Sequence, residues 1–178
     1  MEIKTLEISG FRSALEAVHL PYTGEVRSLV TSHIEPFGSS IRYGAFCEIS
    51  DSDMKLLSAL VRRGDEHAKV IRGIIVYAKI TAPIHFFWDE ETYRAGHERL
   101  SSGSTMNTEG RGLSGDDLAK ALHEVPFDRV ITKADFFSYQ CLRNMYFQRR
   151  NHRKNEWHEF CAWIESLPYS KELITIEK

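Results

Sequence analysis

The chain has 178 residues, 42% of them hydrophobic and 27% charged, an ordinary globular balance that excludes a disordered polypeptide. A chain of this length buries roughly two-thirds of its unfolded surface and needs no disulfide staples, so one domain over residues 1–178 is expected. The formal net charge of −2 excludes recruitment of nucleic acid or anionic membrane by global charge, and any anion site must be local.

The apolar runs are short, Gly73 to Ala78 for example, and none approaches the roughly 20 residues of a membrane span. Met1-Glu2-Ile3-Lys4 does not begin a signal peptide. Cys47, Cys141 and Cys161 are odd in number and widely spaced, which fits reduced thiols in a cytoplasmic protein.

In chain order, Ile3 to Ile8 alternates loosely and reads as an edge strand, and Phe11 to Val18 as a helix that Pro21 ends. Residues 22 to 47 keep no steady period and read as loop with one short strand. Ser50 or Asp51 caps a helix to Arg63, with Leu56, Leu57, Leu60 and Val61 as its apolar stripe and Gly64 as its stop. Ile71 to Ala82 is the clearest strand, apolar on both faces as a central strand is, and Pro83 ends it.

Asp89 to Arg99 reads as a polar helix with acids in its first turn. Ser101 to Gly112 is loop, and Ser114 caps a short helix through His123. Lys133 to Arg150 reads as the longest helix, with Phe137, Cys141, Leu142, Met145 and Tyr146 as its core stripe. Glu156 to Leu167 is a second amphipathic helix with Phe160, Trp163, Ile164 and Leu167 inward. The fold class is α+β, a small and mostly antiparallel sheet packed against several helices.

Standard catalytic motifs are absent: no P-loop, Gly-x-Gly-x-x-Gly, His-Glu-x-x-His or Gly-x-Ser-x-Gly occurs. His158-x-x-Cys161, with Cys141 and His152 nearby, lacks the tight paired spacing of a zinc site, so no metal is expected. His67, between a helix and the central strand, reads as structural. Two segments suit an anion. Thr92 to Ser104 runs from a charged helix into a Ser/Gly loop, combining forked arginine donors with hydroxyls and backbone N–H groups. Arg143 to Lys154 is a basic cluster with Tyr146 and Phe147 interleaved, able to stack a ring or merely to pack.

Together these segments resemble the flavin-dependent thymidylate synthases, most strongly over residues 50–168. Leu56 to Glu66 matches that family's first helix, and Ile74 to Ile84 its strand with a Pro-Ile exit. Counting from Pro83 across the family signature R-H-R-x-x-S-x-N-E-x-S-x-R-Y puts Arg94 on the arginine that closes R-H-R and Ser102 on the second serine. Thr92 and Ser104 stand where the family has arginines, and Ile71 where it has a histidine. Gln140 to Arg149 and Asn155 to Glu159 resemble the paired C-terminal helices.

The resemblance implies a pyrimidine nucleotide or nucleotide-like ligand held by Arg94, Ser102, Asn144 and Arg149. Arg99, Ser104, Arg143 and Arg150 are additional candidate anion contacts, and no residue is assigned a catalytic role. It also implies FAD as cofactor and a homo-oligomer, a tetramer in the family, with sites between subunits. Loss of the two arginines favours a nucleotide-binding protein with altered or lost catalysis. The alternative is an enzyme of that class, methylating dUMP or a modified pyrimidine nucleotide. A second alternative is nucleic-acid binding through residues 143–154, which the near-neutral charge disfavours.

Overall fold

A computed structural model describes residues 1–21, 36–37, 40–41 and 49–177. The loop expected over 22–47 and the thiol of Cys47 lie outside the described residues, except for two short strands, β2 (Pro36–Phe37) and β3 (Ser40–Ile41), which pair antiparallel.

The chain opens with β1 (Glu2–Ser9) and α1 (Phe11–His19). Gly10 joins them at φ +90, and a Cβ there would lie 1.9 Å from the Gly73 carbonyl oxygen, so only glycine admits this close approach. After β2 and β3 comes α2 (Asp51–Arg62), whose N-cap Ser50 accepts a hydrogen bond from the Asp53 N–H at 3.2 Å. A 3₁₀ turn over Ala68–Gly73 leads into β4 (Ile75–Pro83). The expected strand start at Ile71 is therefore corrected: Ile71 and Ile74 are buried apolar residues, but only from residue 75 does the backbone pair with its neighbours.

Then follow α3 (Ile84–Glu90), β5 (His97–Ser102), α4 (Gly115–His123), β6 (Val130–Ser138), α5 (Tyr139–Arg149), α6 (Asn155–Glu165) and α7 (Ser170–Leu173). The sheet order is β1-β4-β6-β5 with every pair antiparallel, which is the α+β class expected. Its inner face carries Val76, Ala78, Ile80 and Ala82 of β4, all fully buried. Phe86 of α3 and Phe160 of α6 meet there at 5.7 Å between ring centres, and Phe160 meets Phe137 of β6 at 5.9 Å. On the outer face Tyr77, Thr81, Thr132, Ala134 and Phe136 are half-buried and Lys79 is exposed.

Two expected helices are corrected. The polar helix over Asp89–Arg99 is a helix, a turn and a strand. Pro83 precedes α3 and fixes its start, and Gly96 at φ +80 ends any helical path. A Cβ at Gly96 would fall 2.2 Å from Ser138 Oγ, and the Ser138 N–H donates to the Gly96 carbonyl at 2.6 Å. That contact starts β5 against β6. The long helix over Lys133–Arg150 is likewise split. Lys133, Asp135 and Phe137 alternate inward as a strand does. Ser138 then caps α5, its hydroxyl accepting from the Cys141 N–H at 3.1 Å.

Candidate functional site

Helical spacing along α5 lines up Gln140, Arg143, Asn144 and Phe147 on one edge. Arg143 is only 4% exposed. Its Nη1 donates to the carbonyls of Ile174 and Ile176, both at 2.6 Å, which ties the C-terminal segment to α5. Phe147 has the guanidinium of Arg143 at 4.7 Å and that of Arg150 at 4.9 Å from its ring centre. Asn144 Oδ1 accepts from Gln140 Nε2 at 3.2 Å, and the same amide nitrogen reaches Asp65 at 3.3 Å. Arg150 pairs with Glu177 at 3.0 Å. Arg143, Asn144, Phe147, Arg150 and Glu177, with Asp65 and Gln148, line an open cleft of about 440 Å³.

Arg149 is committed elsewhere. Its Nε donates to the Tyr93 hydroxyl at 2.7 Å, and its guanidinium lies 4.9 Å from the Trp157 ring centre. It therefore fastens α5 to the turn before β5. Lys154 is similarly engaged, donating to Asp89 at 2.6 Å. With Arg143 buried and Arg150 paired, much of the basic cluster over 143–154 is occupied within the protein.

A second cleft, of about 290 Å³, is lined by Glu91, Arg94, His97, Glu98 and Arg99. Arg99 pairs with Glu91 at 2.8 Å. Arg94 is exposed and, among the described residues, has no hydrogen bond or ion pair. The Thr92 hydroxyl turns back onto the Asp89 carbonyl at 2.7 Å. Ser102 is exposed at the end of β5, and the Ser104 carbonyl accepts from Thr108 at 2.9 Å in the next turn. Of the expected site residues, Asn144, Arg143 and Arg150 thus share one cleft and Arg94 and Arg99 the other. Ser102, Ser104 and Arg149 line neither of the two.

Between β6 and α3 lies a charged cluster that sequence reasoning missed. Glu90 and Asp135 are fully buried and His97 is 8% exposed. His97 Nε2 lies 2.7 Å from Glu90 Oε1 and 3.7 Å from Asp135 Oδ1, while Nδ1 bonds the Tyr93 carbonyl at 3.0 Å. Burial opposes protonation of His97, but the two carboxylates outweigh it and hold its pKa at about 9. Burial pushes Glu90 above the usual carboxylate range, with His97 offsetting only part of that rise. Beside them the buried Lys133 pairs with Glu91 and lies 4.3 Å from the Phe87 ring centre. Burial works against ionisation of Glu91, yet Lys133 and Arg99 draw its pKa below the ordinary value. The cluster escapes a linear reading because its members come from α3, β5 and β6. Only the register pairing His97 with Phe137 brings residue 97 near residue 135.

The whole architecture matches solved structures. The flavin-dependent thymidylate synthase ThyX from Helicobacter pylori, complexed with FAD and dUMP, superposes with a TM-score of 0.68 at 12% identity over 100% of both chains. A second structure of that enzyme with FAD and dUMP matches with the same score and identity over 98% of each chain. The fold is that of flavin-dependent thymidylate synthase. No family model and no curated protein matches the chain by sequence.

Within the thymidylate synthase fold, the frame expected from the resemblance stands: a helix, a central strand, and a paired α5 and α6. The expected run from a charged helix into a Ser/Gly loop differs in form, because His97–Ser102 is a strand on the sheet edge. Among the described residues no helix is long and apolar enough to cross a membrane.

Proposed function

We propose that the protein binds a pyrimidine nucleotide or a nucleotide-like ligand in the α5 cleft, on a thymidylate synthase scaffold whose methyl-transfer chemistry has been altered or lost. The observation that carries this reading is the Arg143–Phe147–Arg150 stack beside the Asn144 amide. An amide offers one acceptor and two donors, enough to pair with the edge of a pyrimidine. Arg150 supplies a forked donor for phosphate. Its present partner Glu177 is largely exposed, and such a pair contributes only about 0–1 kcal/mol, so a phosphate displaces it at small cost.

FAD fits this chain less well. Of the residues lining the β5 cleft, Arg99 is already paired and two acids, Glu91 and Glu98, stand among the donors. Thr92 and Ser104 contribute no guanidinium. Arg94 alone is an unengaged cation there, too little for a diphosphate without help from another subunit. A homo-oligomer is part of the proposal, and the half-buried Tyr77, Ala134 and Phe136 on the outer sheet face, with Leu100 at 56% exposure, offer surface for it.

A thermal-shift screen of pyrimidine nucleotides, with FAD in parallel, tests the reading. A ligand at a hundredfold excess over its Kd stabilises the folded chain by about 2.7 kcal/mol. A clear shift with dUMP or another pyrimidine nucleotide supports the proposal. A shift with FAD alone favours the enzyme reading, and no shift with any nucleotide removes both.

A further inference from the structure

We propose that Glu90, His97 and Asp135 form a binding site for a divalent first-row transition-metal ion, set beneath α3 where β5 meets β6. Linear spacing does not reveal it and leads instead to an expectation of no metal. The three residues each present one ligand atom, and these atoms lie within 4.8 Å of one another. Ligand atoms about 2.0–2.2 Å from a tetrahedral ion stand about 3.3–3.6 Å apart. The 2.7 and 3.7 Å separations from His97 Nε2 to the two carboxylates bracket that range.

The hydrogen-bond pattern is the second, independent observation. Both oxygens of Glu90, both of Asp135 and His97 Nε2 are buried without a directed hydrogen bond among the described residues. The 2.7 Å contact of Nε2 with Glu90 is close enough for an ion pair but lies off the direction of a ring N–H. A carbonyl can only accept, so the contact with Tyr93 requires the proton on Nδ1. That leaves Nε2 facing two carboxylates, the arrangement in which metal-bound histidines are tethered by backbone.

Charge gives the same answer. With both carboxylates ionised, a protonated His97 leaves one uncompensated negative charge, since the neighbouring Lys133 is already paired with Glu91. A divalent ion with neutral imidazole makes the group neutral, which removes the cost of a buried unpaired charge. One imidazole and two carboxylates suit zinc, cobalt, iron or manganese better than calcium. His97 also lines the cleft that holds Arg94, which gives the ion a way in from solvent.

The inference stands apart from nucleotide binding, and its test needs no nucleotide. The full chain is stripped of metal with chelator and dialysed, then titrated with Co²⁺ and Zn²⁺. Metal content, visible absorption of bound Co²⁺ and thermal melting are read together. The expected result is one ion per chain, a low-coordinate Co²⁺ spectrum and a raised Tm. Asp135→Asn and Glu90→Gln should each weaken binding at least tenfold, while His158→Ala leaves it unchanged. If a buried variant fails to fold, the wild-type titration decides. No bound metal and no Co²⁺ spectrum in the wild-type chain would overturn the proposal, as would loss of binding in His158→Ala alone.

Discussion

The α5 cleft and the cluster beneath α3 both place cationic groups against carboxylates and treat charge in opposite ways. In the cleft, Arg150 and Glu177 are exposed and screened, and each can exchange its partner for a ligand at little cost. Beneath α3, Glu90 and Asp135 are fully buried and His97 nearly so, so a charge left there without a partner is costly. Arg143 stands between the two regimes: buried like the cluster, yet on the wall of the cleft. Burial, more than residue type, sets what an unpaired charge costs in each place.

The largest effect should come from breaking the buried side. His97→Ala leaves two carboxylates facing each other without a cation, and urea unfolding should show a loss of about 3–5 kcal/mol. An unchanged midpoint would mean that the cluster is wetter than its geometry implies. Replacing Arg143 with Met removes both bonds to the C-terminal carbonyls while keeping much of the side-chain packing. A loss of roughly 2–3 kcal/mol is expected. A neutral result would place Arg143 with the ligand-facing groups.

Titration separates the regions further. In metal-free protein the folded pKa of His97, about 9, lies above its ordinary value of 6.5. Its contribution is therefore fully present below pH 6.5 and is lost as pH rises through about 9. Chemical denaturation across that range should show falling stability, and His97→Ala should flatten this part of the profile. The smallest effect belongs to the open side. Glu177→Gln frees Arg150 and should tighten nucleotide binding no more than about fivefold, the equivalent of an exposed ion pair. Weaker binding would show that Glu177 assists the ligand instead.

Much of the frame is legible in the residues themselves. Ser50 and Gly64 mark the ends of the α2 segment, and the β-branched run of β4 marks the central strand. The two misread segments share a cause. Around Gly96 and Ser138 the chain changes from one period to another within a residue or two, and an apolar residue such as Phe137 fits either period. What separates the readings is the contact between Gly96 and Ser138 themselves, which depends on tertiary approach. The candidate site is legible to a similar depth. The resemblance led to Asn144, Arg143 and Arg150, which do share a cleft. It could not reveal that Arg149 is tied to Tyr93, because helical spacing does not show which arginines turn inward. Nor could spacing reveal the Glu90–His97–Asp135 cluster, which exists only through sheet register.

Calorimetric titration of the full chain with dUMP, beside Arg150→Ala, tests the central claim most directly. The account predicts saturable binding to the wild type and about tenfold weaker binding to the variant, with unfolding free energies within about 0.5 kcal/mol of each other. Equal affinity in the two proteins, or no binding to either, would contradict it.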